Sequence, residues 1–161
     1  MNQQAVELKN ILTEELNIYI ELLRLGKDKT KLLVDSKMSE LQATVAQEEN
    51  LVQQLIELEP LRQELFCAVA GEPIVKLEVF VEKVEDENLK AELIELGSKL
   101  REVVEEIKSV NEGNQRLAEV GLEVAQHTIK IMTRAPRPAT YGRNSSTQKT
   151  MRGCSLFDSK A

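Results

Sequence analysis

From Leu89 to Ile131 the chain keeps an unbroken alternation of four- and three-residue steps. The positions read Leu89, Leu93, Leu96, Leu100, Val103, Ile107, Val110, Asn114, Leu117, Gly121, Val124, Thr128 and Ile131, and ten of the thirteen are aliphatic. That spacing gathers side chains on one face of an α-helix. No proline intervenes before Pro136, so the pattern predicts one continuous helix of about 47 residues, about 70 Å long at 1.5 Å per residue. Composition points the same way. Leu, Glu, Lys, Gln and Ala dominate, while seven Gly and four Pro leave little punctuation for strands and hairpins. Aromatics make up 3% of the 161 residues, so the core is expected to be aliphatic.

The rest of the chain reads as partners for that helix. Over residues 2–34, Ala5, Leu8, Leu12, Leu16, Tyr19 and Leu23 form one helical row, and Ile11, Ile18, Leu22, Leu25 and Leu32 a second beside it. Gly26 inside this pattern weakens it by about 1 kcal/mol relative to Ala. Asp35-Ser36-Lys37 breaks the period. Ser39-Glu40-Leu41-Gln42 then fits a capping box that starts a second helix within 36–39. This helix runs to about Ala70, with Pro60 either kinking it near Ile56–Glu59 or splitting it. Gly71 suits the residue that ends it, and Pro73 the first turn of a short helix over about 73–83. Asp86-Glu87-Asn88 opens the long helix.

Two helices of about 33 residues joined by a short turn predict an antiparallel hairpin. With the short helix and the long C-terminal helix, the expected fold is all-α, an elongated three- or four-helix bundle with coiled-coil character. Residues 1–134 form the helical domain. Residues 135–161, with Ala135-Pro136-Arg137-Pro138 and Asn144-Ser145-Ser146-Thr147-Gln148, are expected to be a disordered tail. Charge separates the two: the tail carries a net +4 and the remaining 134 residues a net −10. An acidic body of that size repels nucleic acid, and five cations over 27 residues are too sparse for a nucleic-acid arm.

If the long helix starts level with the hairpin's open end, its last ~20 Å outruns the turn. That stretch stays apolar: Leu117, Val124 and Ile131 are joined by Ala118, Leu122, Ala125, Ile129 and Met132, with Val120 between. Apolar surface left wet costs about 25 cal/mol per Å². Either the stripe binds a partner, for which an amphipathic helix is the natural fit, or a longer first helix or the tail covers it as ordinary core. Asn114, at a core position, likewise marks either a break between two halves of the helix or a polar contact fixing its register.

Chemistry is sparse. His127, Cys67 and Cys154 cannot make a four-ligand Cys/His zinc site, and two distant cysteines are no disulfide framework. Cys67, beside Phe66, reads as a small hydrophobe, and His127 as a partly buried helix residue. The closely spaced glycines Gly113 and Gly121 lie within a helical pattern rather than a phosphate loop. Pairs such as Glu48/Glu49 and Glu105/Glu106 read as solvated helix face. No enzyme, metal or cofactor is expected. The N-terminal residues lack the basic region of a secretory leader, and no apolar run approaches the ~20 residues that span a bilayer, so a cytoplasmic protein without membrane insertion is expected.

One family brings these features together. Leu8, Leu12, Glu15-Leu16, Tyr19 and Leu22-Leu23 are followed by Lys31-Leu32-Leu33-Val34-Asp35, then by Leu41, Glu48-Glu49 and Leu51. Later come Leu58-Glu59, Leu61-Arg62, Asn111-x-x-Asn114-x-x-Leu117, Leu122 and a closing Thr140-Tyr141-Gly142. In that order, over about residues 5–142, they resemble the FlgN family of flagellar export chaperones. The resemblance implies a non-catalytic cytoplasmic protein. Such a protein binds the C-terminal helices of hook–filament junction proteins, prevents their premature assembly and delivers them to the flagellar type III export apparatus. It places client binding on Leu117, Val120, Leu122, Val124, Ala125, Ile129, Ile131 and Met132, and docking on the export gate at Tyr141. Pro60 and the basic extension beyond Gly142 depart from the family pattern. The competing reading is a structural coiled coil that homodimerises through its C-terminal helix.

Overall fold

The computed structural model describes residues 2–72 and 76–134. These form four helices: α1 (Asn2–Val34), α2 (Met38–Ala70), α3 (Leu77–Glu82) and α4 (Glu87–Arg134). The fold is the expected all-α arrangement, and no strand occurs among the described residues. The long helix has 48 residues. Asp86 caps it. Its carboxylate accepts the N–H of Asn88 at 2.9 Å and of Leu89 at 3.2 Å, satisfying donors the first turn leaves free.

α1 and α2 pair antiparallel. Moving fourteen residues up α1, from Glu15 to Lys29, moves fourteen down α2, from Arg62 to Glu48. Both steps end on an ion pair, at 3.1 Å and 2.9 Å. The turn between them is a Schellman motif. The N–H of Lys37 reaches the Leu32 carbonyl at 3.0 Å and that of Ser36 the Leu33 carbonyl at 3.3 Å, with Ser36 left-handed at φ 56°. The chain therefore enters α2 at once. Lys37 stands at the cap position with no side-chain cap, and Ser39 already lies inside the helix, so the expected capping box is not used. Pro60 does not split α2, which runs unbroken to Gly71, whose φ of 82° ends it. Pro60 and Ile56 are exposed, leaving water free to serve the carbonyl that proline deprives of a donor.

Through residue 115, α4 runs parallel to α1. Lys9 meets Glu92 and Thr30 meets Asn114. The core gathers where the start of α1, the end of α2, α3 and the start of α4 come together. It comprises Ala5, Leu8, Leu12, Phe66, Phe80, Val81, Val84, Leu89 and Leu93. The expectation of a purely aliphatic core fails at its centre. Phe80 is fully buried and stands edge-on to Phe66, ring centroids 5.6 Å apart. Two aromatics suffice because a single T-shaped pair fills the space where four chain segments converge. Cys67 is exposed rather than a core hydrophobe, since Phe66 takes the inward direction and the next residue turns about 100° away. The short helix starts at Leu77, after an extended Lys76; Pro73 and Ile74 lie outside the described residues.

Near the far end of α1 a polar clamp replaces apolar packing. The buried Asn114 amide donates to the Gly26 carbonyl at 2.9 Å, and its oxygen accepts the Thr30 hydroxyl at 2.5 Å. Gly26 lets α1 and α4 approach closely here. A Cβ on it would stand 3.2 Å from Val110 Cγ1, tighter than most such contacts. Asn114 makes the satisfied polar contact of one reading, and the boundary between the chain's two compact units follows it directly, as the other reading expects.

Two predictions follow from this frame. Ser36→Gly removes the penalty of a left-handed L-residue and should stabilise the fold by about 0.5–1 kcal/mol, read as a higher urea midpoint at unchanged slope. Burial pushes the Glu15 carboxyl above the ordinary carboxylate range, against the pull of Arg62 and with Glu59 adding to the rise. The folded chain thus holds that proton more tightly than the unfolded one. The contribution of Glu15 is greatest below about pH 4.3 and declines as pH rises through its raised folded value. Glu15→Gln cannot titrate, so in urea titrations the stability difference between variant and parent should move in the variant's favour from about pH 4 to about pH 7.

Candidate functional site

The chain divides into two compact units between Gln115 and Arg116. In the second, the described residues are the last turns of α4, from Arg116 to Arg134. At 100° per residue these turns carry two apolar rows. Ala118, Leu122, Ala125, Ile129 and Met132 form one. Leu117, Val120, Val124 and Ile131 form the other, with Gly121 and Thr128 on the line between.

Every residue that the sequence assigns to client binding is exposed: Leu117, Val120, Leu122, Val124, Ala125, Ile129, Ile131 and Met132. For the largest of these the exposure is 59% at Leu122, 60% at Val124, 47% at Ile129 and 68% at Met132. Helical side chains this apolar and this open to water are costly to leave wet. Tyr141, the residue assigned to export-gate docking, lies outside the described residues, as does the rest of the 135–161 tail.

The polar groups on this face are muted by local bonds. Thr128 donates its hydroxyl to the Val124 carbonyl at 2.9 Å and Thr133 to the Ile129 carbonyl at 2.9 Å. Each hydroxyl is thereby satisfied within the helix and leaves its methyl group outward. His127, expected to be partly buried, is exposed, because it lies across the helix from the first row. Gly121 has open space around the position a Cβ would occupy, so none of the described residues demands a glycine there. In a helix interior that residue costs about 1 kcal/mol relative to Ala.

The first unit holds a feature that sequence reading did not find. A groove of about 600 Å³ runs between α2 and α4, with Leu12, Phe66, Leu77, Gly97 and Leu100 among its lining. Its charges are mixed, and two of its cations are already committed: Arg62 to Glu15 at 3.1 Å and Arg101 to Glu78 at 3.5 Å. Only tertiary packing brings these segments together, so no local motif announces the groove. Among the described residues no group of three or more His, Cys, Asp or Glu is placed to hold a metal ion, and no helix is long and apolar enough to cross a membrane.

Against this geometry, the family model for FlgN protein matches residues 1–149. The chain belongs to the FlgN family. No curated protein and no solved structure gives a significant match to it. FlgN proteins act as flagellar export chaperones, a role of binding flagellar proteins rather than transforming a substrate. For this FlgN protein, Gly121→Ala should slow amide exchange of residues 118–125 about fivefold, the expected gain of about 1 kcal/mol in local helix stability.

Proposed function

We propose that this FlgN-family protein is a cytoplasmic chaperone for hook–filament junction proteins, whose amphipathic C-terminal helices it holds on the last turns of α4. One observation carries the reading: the apolar rows through Leu122, Val124, Ile129 and Met132 stand exposed on the last turns of a continuous helix. Client helices laid there with their apolar faces inward remove that surface from water and hide their own assembly surface in the same step. Premature polymerisation is blocked because both uses of the client helix need the same face.

Handover to the export apparatus requires a bond that can be released. The site suits this, since its contacts are aliphatic and its two threonine hydroxyls are satisfied internally, leaving few directional bonds to break. Tyr141, seven residues beyond Arg134 in sequence, is proposed as the docking residue for the export gate.

Replacing both Leu122 and Ile129 with Asp tests the reading. Both side chains are exposed, so the bundle should keep its helical circular dichroism and melting temperature. Capture of a purified junction protein should fall below detection in size-exclusion co-elution. Loss of the fold in this variant, or capture equal to that of the parent, would reject the site. A homodimer indifferent to the junction protein in light scattering would favour the structural coiled coil instead.

A further inference from the structure

The apolar arc on the last turns of α4 is too wide for one neighbour. Leu122 and Val120 are two residues apart, as are Ile129 and Ile131, and positions two apart lie about 160° from each other around a helix. All four are exposed. Between them, on one side of the helix, come Ala118, Ala125, Met132, Gly121, Val124 and Leu117, with only Thr128 polar in composition. The arc therefore spans about 200° of the helix circumference. A single helix-packing stripe needs about 100°.

The first unit shows how α4 uses such width. Over residues 89–110 its apolar face, from Val110 on one edge round to Gly97 on the other, covers about 140°. That face meets α1 at Gly26 and α3 at Leu77, which packs over Gly97. A narrower arc there already serves more than one neighbour. The arc over 117–132 is wider still.

We infer, resting on the chaperone reading above, that one client protein supplies two helices to this segment as a hairpin. One helix packs along Leu122 and Ile129, the other along Val120 and Ile131. Gly121 lies between them, where the absence of a side chain lets both approach. A second copy of α4 is a poorer occupant. Packed on one side, it leaves the opposite edge in water. The chain's own tail is poorer still, because residues 135–161 offer only Tyr141, Met151, Leu156 and Phe157 as large apolar side chains, too few for two amphipathic helices.

The test uses the full chain and a purified full-length hook–filament junction protein, with titration calorimetry for affinity and native mass spectrometry for stoichiometry. The informative variant pairs Val120→Asp with Ile131→Asp, on the edge opposite Leu122 and Ile129. A Val120→Gln, Ile131→Gln pair repeats the test with uncharged polar side chains that a helix accepts well, in case the charged pair perturbs the helix. The expected result is a one-to-one complex whose affinity falls at least tenfold in each pair. Affinity within twofold of the parent in both pairs, while the Leu122 and Ile129 edge remains essential, would overturn the two-helix inference and leave the chaperone reading standing. Indifference to substitutions on both edges would remove the chaperone site as well. A complex with two junction proteins per chain, or a free chain that is already trimeric, would also overturn the inference.

Discussion

The close approach of α1 to α4 at Gly26 constrains the first unit more than any other contact. It permits a backbone separation at which the Asn114 amide reaches across to a main-chain carbonyl. That bond, with the Thr30 hydroxyl completing it, has one geometry only, whereas aliphatic side chains slide past one another at little cost. It therefore fixes how far α4 has advanced along α1. The ion pairs of Lys9 with Glu92 and Lys27 with Glu106 are exposed and add little by comparison. Register set in this way decides which turns of α4 the first unit occupies.

The division of labour along α4 follows from sequence chemistry. One backbone ladder carries the helix from Glu87 to Arg134. Its first part uses a moderate apolar face against its own chain, and the rest of its circumference is charged, with Glu95, Glu102, Glu105 and Glu112 outward. Beyond Gln115 the charges thin out and the apolar face broadens. A helix that merely ended in water would show the reverse. Packing against the chain's own helices and an exposed apolar face are thus written on the same element, in consecutive stretches.

Much of this was legible in the sequence because it is local. The four-three repeat from Leu89, the Asp86 cap, Gly71 as a stop and the break at Asp35-Ser36-Lys37 each depend on residues within a turn or two of one another. The exposed residues of the last turns of α4 were legible for the same reason: their spacing alone places them on the helix. What escaped depends on distance or competition. The Phe66–Phe80 pair and the groove over Leu12 arise from segments far apart in the chain. Gly26 looked like a defect because its partner Asn114 lies 88 residues away. The capping box at Ser39 had a sound local pattern, and lost to a turn that completes its own bonds first and brings Lys37 to the cap position. Pro60 was read as a breaker because the sequence does not reveal that its neighbourhood is solvated.

The uneven placement of the core has a consequence for how the hairpin comes apart. The fully buried side chains cluster where both ends of the hairpin meet α3, while the half of α2 nearest the turn, from Met38 to Glu57, contains no buried residue at all. On the α2 side what holds that tip is partial burial and the half-buried pair of Lys29 with Glu48, while the Asn114 clamp grips only α1. Electrolyte weakens such a pair more than it weakens aliphatic packing. Breathing of the molecule thus starts at the tip and travels toward the phenylalanines. A protease given time in concentrated salt would nick the peptide bonds around Ser36 long before it reached Phe80.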